Sequence, residues 1–111
     1  MFKDLNKQTR STVKEGIDLQ ALSFVKLHEF VGETILVDGF FFTNGDYGKQ
    51  IVVVGNGYKI NLPNRYVEAF EQIQASDEML EAMFNGHMAL TNIRDIRTKQ
   101  GYTTVFDFAD C

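Results

Sequence analysis

The 111-residue, 12.7 kDa chain is 44% hydrophobic, a size and composition that fit one domain and leave no length for a second. Its apolar runs are far shorter than the ~20 residues that cross a bilayer as a helix, and its start lacks the charged-then-apolar pattern of a secretory leader. A soluble, cytoplasmic protein with no membrane partner is therefore expected, and the single cysteine, Cys111, suits a reducing compartment because it has no internal partner. The formal charge of −4 disfavours a uniformly basic nucleic-acid binder. Its distribution matters more than its sum: residues 65–86 carry one basic and five acidic side chains, while the rest of the chain balances to zero.

Along the chain, residues 1–20 have no strong apolar period. Lys3, Lys7, Arg10 and Lys14 recur at three- and four-residue steps, so a helix there would show a basic stripe. With nothing apolar to make it pack, this segment is expected to be a flexible or weakly helical arm, leaving 21–111 as the folded domain. Leu22, Phe24, Val25, Leu27, Phe30 and Val31 supply surface for docking, as either a short helix or a lead-in strand, and Gly32 ends the segment.

Glu33 to Thr43 reads as a long strand. Alternation puts Ile35, Val37 and Phe41 on one face and Leu36, Asp38, Phe40 and Phe42 on the other, with Gly39 at a corner where a missing side chain lets the strand bend. Asn44 to Gly48 is turn chemistry, and Lys49 to Val54 makes a second, almost wholly apolar strand. Asn56-Gly57 then predicts a two-residue hairpin, with Tyr58 to Leu62 returning antiparallel. Pro63 closes that strand and Asn64 is placed to cap a helix.

Val67, Phe70 and Ile73 form one apolar stripe. Ser76-Asp77 breaks it and caps a second run with Met79, Leu80, Met83 and Phe84, while Glu68, Glu71, Glu78 and Glu81 face outward. The segment predicts two short helices or one kinked helix, stopped by Asn85-Gly86. Met88, Leu90, Ile93 and Ile96 shift phase partway, which predicts a bulge in a fourth strand; Thr98 to Gly101 turns, and Tyr102 to Phe108 alternates as a fifth.

The result is a mainly β chain with one helical segment in the order β-β-β-α-β-β. This is the layout of an OB-fold-like five-stranded barrel, whose groove commonly grips single strands of nucleic acid. The runs Gly39 to Phe42, Tyr47 to Val54, Ile60 to Arg65 and Thr98 to Tyr102 resemble those of small single-stranded-DNA-binding-type proteins of phages and mobile elements in Gram-positive bacteria, over about residues 24–110. The chain departs from the housekeeping members in having no tryptophan and no long Gly/Pro-rich acidic tail, so recruitment of repair partners through such a tail is not implied.

Sequence-tolerant binding of a single strand needs flat π-faces for bases and cations along the phosphates. Phe40, Phe42, Tyr47 and Tyr102 are the candidate platforms, and Lys49, Lys59, Arg94, Arg97 and Lys99 the candidate cations, on the strands and turns that line an OB cleft. The partner expected is single-stranded DNA, or RNA, with no cofactor; short exposed strands also allow a homo-oligomer. This expectation depends on a closed barrel whose groove, and not the acidic helical plug, meets the ligand.

Catalytic readings are weaker. His28 and His87 stand alone without metal-ligand spacing, Gly55-Asn56-Gly57 is better explained as a hairpin than as a nucleotide loop, and Asp107 and Asp110 have no local partner for acid–base work. No enzyme is expected. The competing expectation is a protein-interaction module, an inhibitor or adaptor of a phage or mobile element, acting through its acidic helical face.

Overall fold

The computed structural model describes residues 12–14, 16–45 and 48–110. Six strands make one sheet: β1 (Ser23–Lys26), β2 (Ile35–Gly45), β3 (Gly48–Gly55), β4 (Tyr58–Leu62), β5 (Met88–Thr98) and β6 (Gly101–Asp110). Their spatial order is β1-β4-β3-β2-β5-β6, antiparallel throughout except for the parallel β1–β4 pair. The sheet curls into a half-barrel, so the mainly β, barrel-like character is as expected, while the strand count and order differ from the five-stranded β-β-β-α-β-β barrel, and the barrel is not closed. The additional strand is β1, formed by the segment whose type the sequence left open. By pairing with β4 it occupies the edge that β6 would need in order to close the barrel.

The two longest strands each contain an extra residue. In β2 the register with β3 shifts between Val37 and Gly39, so parity reverses at Asp38. Ile35, Val37, Phe40 and Phe42 therefore point into the core or against it, correcting the regular alternation that grouped Phe41 with Ile35 and Val37. The bulge also lets one strand serve two neighbours, β5 at Ile35–Leu36 and β3 from Val37 onward. Past that point the free side of β2 is taken by residues 12–14, through Lys14 N–H to Asp38 O at 2.9 Å and Phe40 N–H to Thr12 O at 3.0 Å. Gly39 is required here: a Cβ would lie 2.5 Å from the Val13 backbone. Thr12–Lys14 is thus tied to the sheet and is not part of a free arm; residues 1–11, the rest of the predicted basic stripe, lie outside the described residues.

The Asn56-Gly57 hairpin is present, with φ of 52° and 82°, both in the left-handed region that a two-residue turn of this kind demands. Two helices follow, α1 (Val67–Gln74) and α2 (Asp77–Phe84), separated where expected; the Ser76 side chain accepts from Met79 N–H at 3.2 Å. Asn64 does not cap α1. It begins a 3-10 turn, Asn64–Tyr66, which lies between Pro63 and the helix. Phe70 and Ile73 from α1 and Leu80 and Met83 from α2 fill the concave side of the sheet against Ile35, Phe40, Ile51 and Leu90. Each such side chain contributes about 1.5–3 kcal/mol of burial, which holds the otherwise marginal eight-residue helices in place.

The open side of the half-barrel is bridged without strand pairing. The 3-10 turn Leu27–Phe30, which leaves β1, lies on β5: His28 pairs with Asp95 at 2.8 Å, and Gly32 N–H donates to Ile93 O at 3.0 Å. Tyr66 stacks on Phe106 with ring centroids 4.1 Å apart, and its hydroxyl accepts from the Phe106 N–H at 3.2 Å. That contact covers part of the exposed edge of β6, where an unpaired backbone invites another chain.

Candidate functional site

The site is built on the β5–β6 hairpin. Between Thr91 and Arg94 the register with β6 gains a residue, and Asn92 takes φ 52°, the bulge that the shift in hydrophobic phase predicts. The bulge is held by its own network: Asn92 Nδ2 donates to Asp107 at 2.8 Å, Arg94 donates to Asn92 O at 2.8 Å, and Arg94 lies 3.7 Å from the Asp107 carboxylate. Beyond it the strands run in register with Arg97 opposite Tyr102 and Asp95 opposite Thr104, so all four share one face. The tip turns at Lys99-Gln100, where Gly101 adopts φ 126° and Thr98 Oγ1 donates to Gly101 O at 2.9 Å.

At this tip the Tyr102 side chain is 77% exposed. It lines an open polar hollow of about 520 Å³ with Arg65, Thr98, Lys99, Gln100 and Thr103. Arg65 arrives from the turn after β4 and donates to Thr103 Oγ1 at 3.4 Å. Among the described residues, Arg65, Arg97 and Lys99 have no ion-pair partner, while the hairpin's one nearby acid, Asp95, is engaged by Thr104 at 2.7 Å and by His28. The Thr104 hydroxyl, followed by the His28 ring, holds the Asp95 carboxyl below the usual aspartate range. The tip can therefore offer one flat ring to a planar, anionic ligand, with Arg97 on the ring's own face and Arg65 and Lys99 along the adjoining hollow.

The other predicted site residues are dispersed. Phe40 is 0% exposed, packed edge-on against Phe70 at 5.0 Å, and cannot stack on a base; the parity reversal at Asp38 turns it inward. Phe42 is half-buried against Phe40, with Lys49 Nζ 4.3 Å from its ring centroid; Lys49 also lies 3.7 Å from Glu71 of α1. Lys59 sits on β4, next to the edge strand β1 at the far side of the sheet, 4.3 Å over Phe24. Arg94 is held on the other face of the hairpin from Arg97 by its bonds to Asn92 and Asp107. Tyr47 lies outside the described residues, as does Cys111.

Only Arg97, Lys99 and Tyr102 of the predicted set come together. Arg65 and Phe24 were missed. Arg65 follows Pro63-Asn64 and looks locally like a first-turn helix residue, with no sequence signal that a strand 38 positions later meets it. Phe24 offered a signal only in its neighbour Lys26, since its pairing with Lys59 is made by the tertiary fold.

A second surface feature lies between the helices and the base of the hairpin. There Ala69, Ile73, Met79, Ala82, Met88 and Phe108 line an apolar groove of about 350 Å³, with Gln72, His87 and Asp110 also on its wall. Among the described residues no three His, Cys, Asp or Glu side chains converge to hold a metal ion, and no helix is long and apolar enough to cross a membrane. No family model, characterised protein or solved structure matches the chain.

Proposed function

We propose that the protein is a non-enzymatic binder of single-stranded nucleic acid, with the tip of the β5–β6 hairpin as its principal contact. The observation that carries this reading is the exposed Tyr102 ring, which lines one hollow with Arg65 and Lys99 and has Arg97 opposite it in the β5–β6 ladder, with no carboxylate among the described residues pairing any of these cations. A base stacks on such a ring with about 1–3 kcal/mol, whatever its identity, and the cations meet the flanking phosphates. The mainly β, barrel-like sheet with its two helices after β4 is compatible with the same reading, although the added strand β1 departs from the order of an OB barrel. The closed groove that the sequence expectation required is absent, since the sheet is an open half-barrel; the present reading rests instead on the hairpin, which carries its own platform. The net charge of −4 is no obstacle, since the acidic excess belongs to α1 and α2.

Anisotropy of a labelled oligo-dT of ~30 nucleotides tests the proposal. Binding should appear at low salt and weaken as salt rises, with a log–log slope of about −2 for three phosphate contacts on a single strand. Oligo-rU in parallel separates DNA from RNA. Absence of binding to both at low salt overturns the reading.

One observation favours a second reading, a protein-interaction module acting through the helical face. The apolar groove beside α1 and α2 leaves Met79 53% exposed and Phe108 partly uncovered next to an acidic surface. On that reading the oligonucleotide stays free at every salt concentration, and charge reversal at Glu78 or Glu81 disrupts a protein complex.

A further inference from the structure

The parallel β1–β4 ladder carries an aromatic and cationic patch remote in sequence from the hairpin tip. Its register pairs Phe24 with Lys59 and Lys26 with Asn61, so these four side chains share the outer face, while Val25 and Ile60 turn inward to the core. The four include no carboxylate. Phe24 is 56% exposed although it is among the largest apolar side chains, and the Lys59 ammonium lies 4.3 Å over its ring. We propose that this face is a second landing site for the same single strand: Phe24 receives a base, and Lys26 and Lys59 receive its phosphates.

This inference rests on the proposed function of the hairpin tip and extends it to a second site. The occupant is argued from charge and ring chemistry. An apolar protein partner would want the ring without two flanking ammonium groups, whereas a nucleotide uses both. A base that stacks on Phe24 displaces Lys59 from the ring and leaves its ammonium within a side chain's reach of that base's phosphate. Chain geometry joins the two sites. Lys59 and Asn61 point outward along β4, and Arg65, only six residues after Lys59, already lines the hollow that holds Tyr102. At the ~3.3 Å rise of a strand those six steps span at most about 20 Å, within the footprint of about 4–16 nucleotides typical of one such domain.

The test is anisotropy of labelled oligo-dT of ~15 nucleotides at low salt, with the full chain. Phe24→Leu keeps an apolar side chain and removes the flat ring, so it should weaken binding about tenfold, whereas Phe24→Tyr should bind like the wild type. Lys59→Glu should make the salt slope shallower by about 0.7. Lys26→Glu, fully on the surface, tests the same face should Phe24→Leu lower the melting temperature. If Phe24→Leu and Lys26→Glu bind normally while Tyr102→Ala weakens binding, the second site is wrong and the hairpin reading stands. If the wild type binds no oligonucleotide, both fall.

Discussion

Two long hairpins project from the same curled sheet, and each carries an aromatic ring and a lysine near its tip. In the β2–β3 hairpin those groups are engaged within the fold: Phe42 rests on Phe40, and Lys49 is held between the Phe42 ring and Glu71 of α1. In the β5–β6 hairpin Tyr102 stands clear of the core, and Arg97 and Lys99 meet no carboxylate among the described residues. Both carry a ring and a lysine; the position of the acidic helix differs. Packed against β3, α1 neutralises the first hairpin, while the second reaches beyond it. Availability of a cation to a ligand is therefore decided by what the tertiary fold sets beside it.

The strongest way to break this comparison is through Phe40. Phe40→Ala should destabilise the protein by about 3–5 kcal/mol in urea unfolding, because it opens a cavity beneath α1. Any loss of binding should track loss of fold. A variant that stayed fully stable while losing oligonucleotide affinity would put Phe40 on the surface and dissolve the contrast between the hairpins. Tyr102→Ala is the opposite case: binding should weaken by about 1–3 kcal/mol in an anisotropy titration, with the melting temperature unchanged.

How much of this was legible in the sequence follows from the range of the interactions involved. The β3–β4 hairpin and the break before α2 were readable because Asn56-Gly57 and Ser76 act on their own immediate backbone. The bulge in β5 was readable because hydrophobic residues lie on both sides of it and report the change of phase. The bulge in β2 was not: apolar residues occupy both faces from Phe40 onward, so a one-residue slip leaves no trace in the pattern, and the inward turn of Phe40 goes with it. β1 and the open barrel were hidden for another reason. The partner of Phe24 is 35 positions away, and a four-residue strand carries too little pattern to announce a parallel pairing. Arg65 reached the hairpin tip by the same long-range route.

Charge substitutions sharpen the comparison at smaller amplitude. Lys99→Ala should make the salt slope of binding shallower by about 0.7 and leave stability unchanged. Lys49→Ala should leave that slope unaltered. Its effect should appear in unfolding, at about 0.2–1 kcal/mol, the range for an exposed ion pair such as the one with Glu71. If both lysines move the slope equally, α1 does not neutralise the first hairpin in solution.

The smallest effect separates the base of the second hairpin from its tip. Asp95 is held below the usual aspartate range by the Thr104 hydroxyl and then by His28, so its charged form is favoured in the folded protein. A depressed carboxyl contributes stability that is complete above its unfolded value, about 3.9, and is lost as pH falls through the lower folded value. Asp95→Asn should therefore melt below the wild type near neutral pH, with the gap closing only in strong acid. Oligonucleotide affinity at neutral pH should be unchanged, because Asp95, although on the same face as Arg97 and two residues further from the turn, is engaged by Thr104 and by His28 of the turn after β1. A gain in affinity on removing that carboxylate would mean that Asp95 repels phosphate at the site, and that the hairpin's base and tip act as one surface.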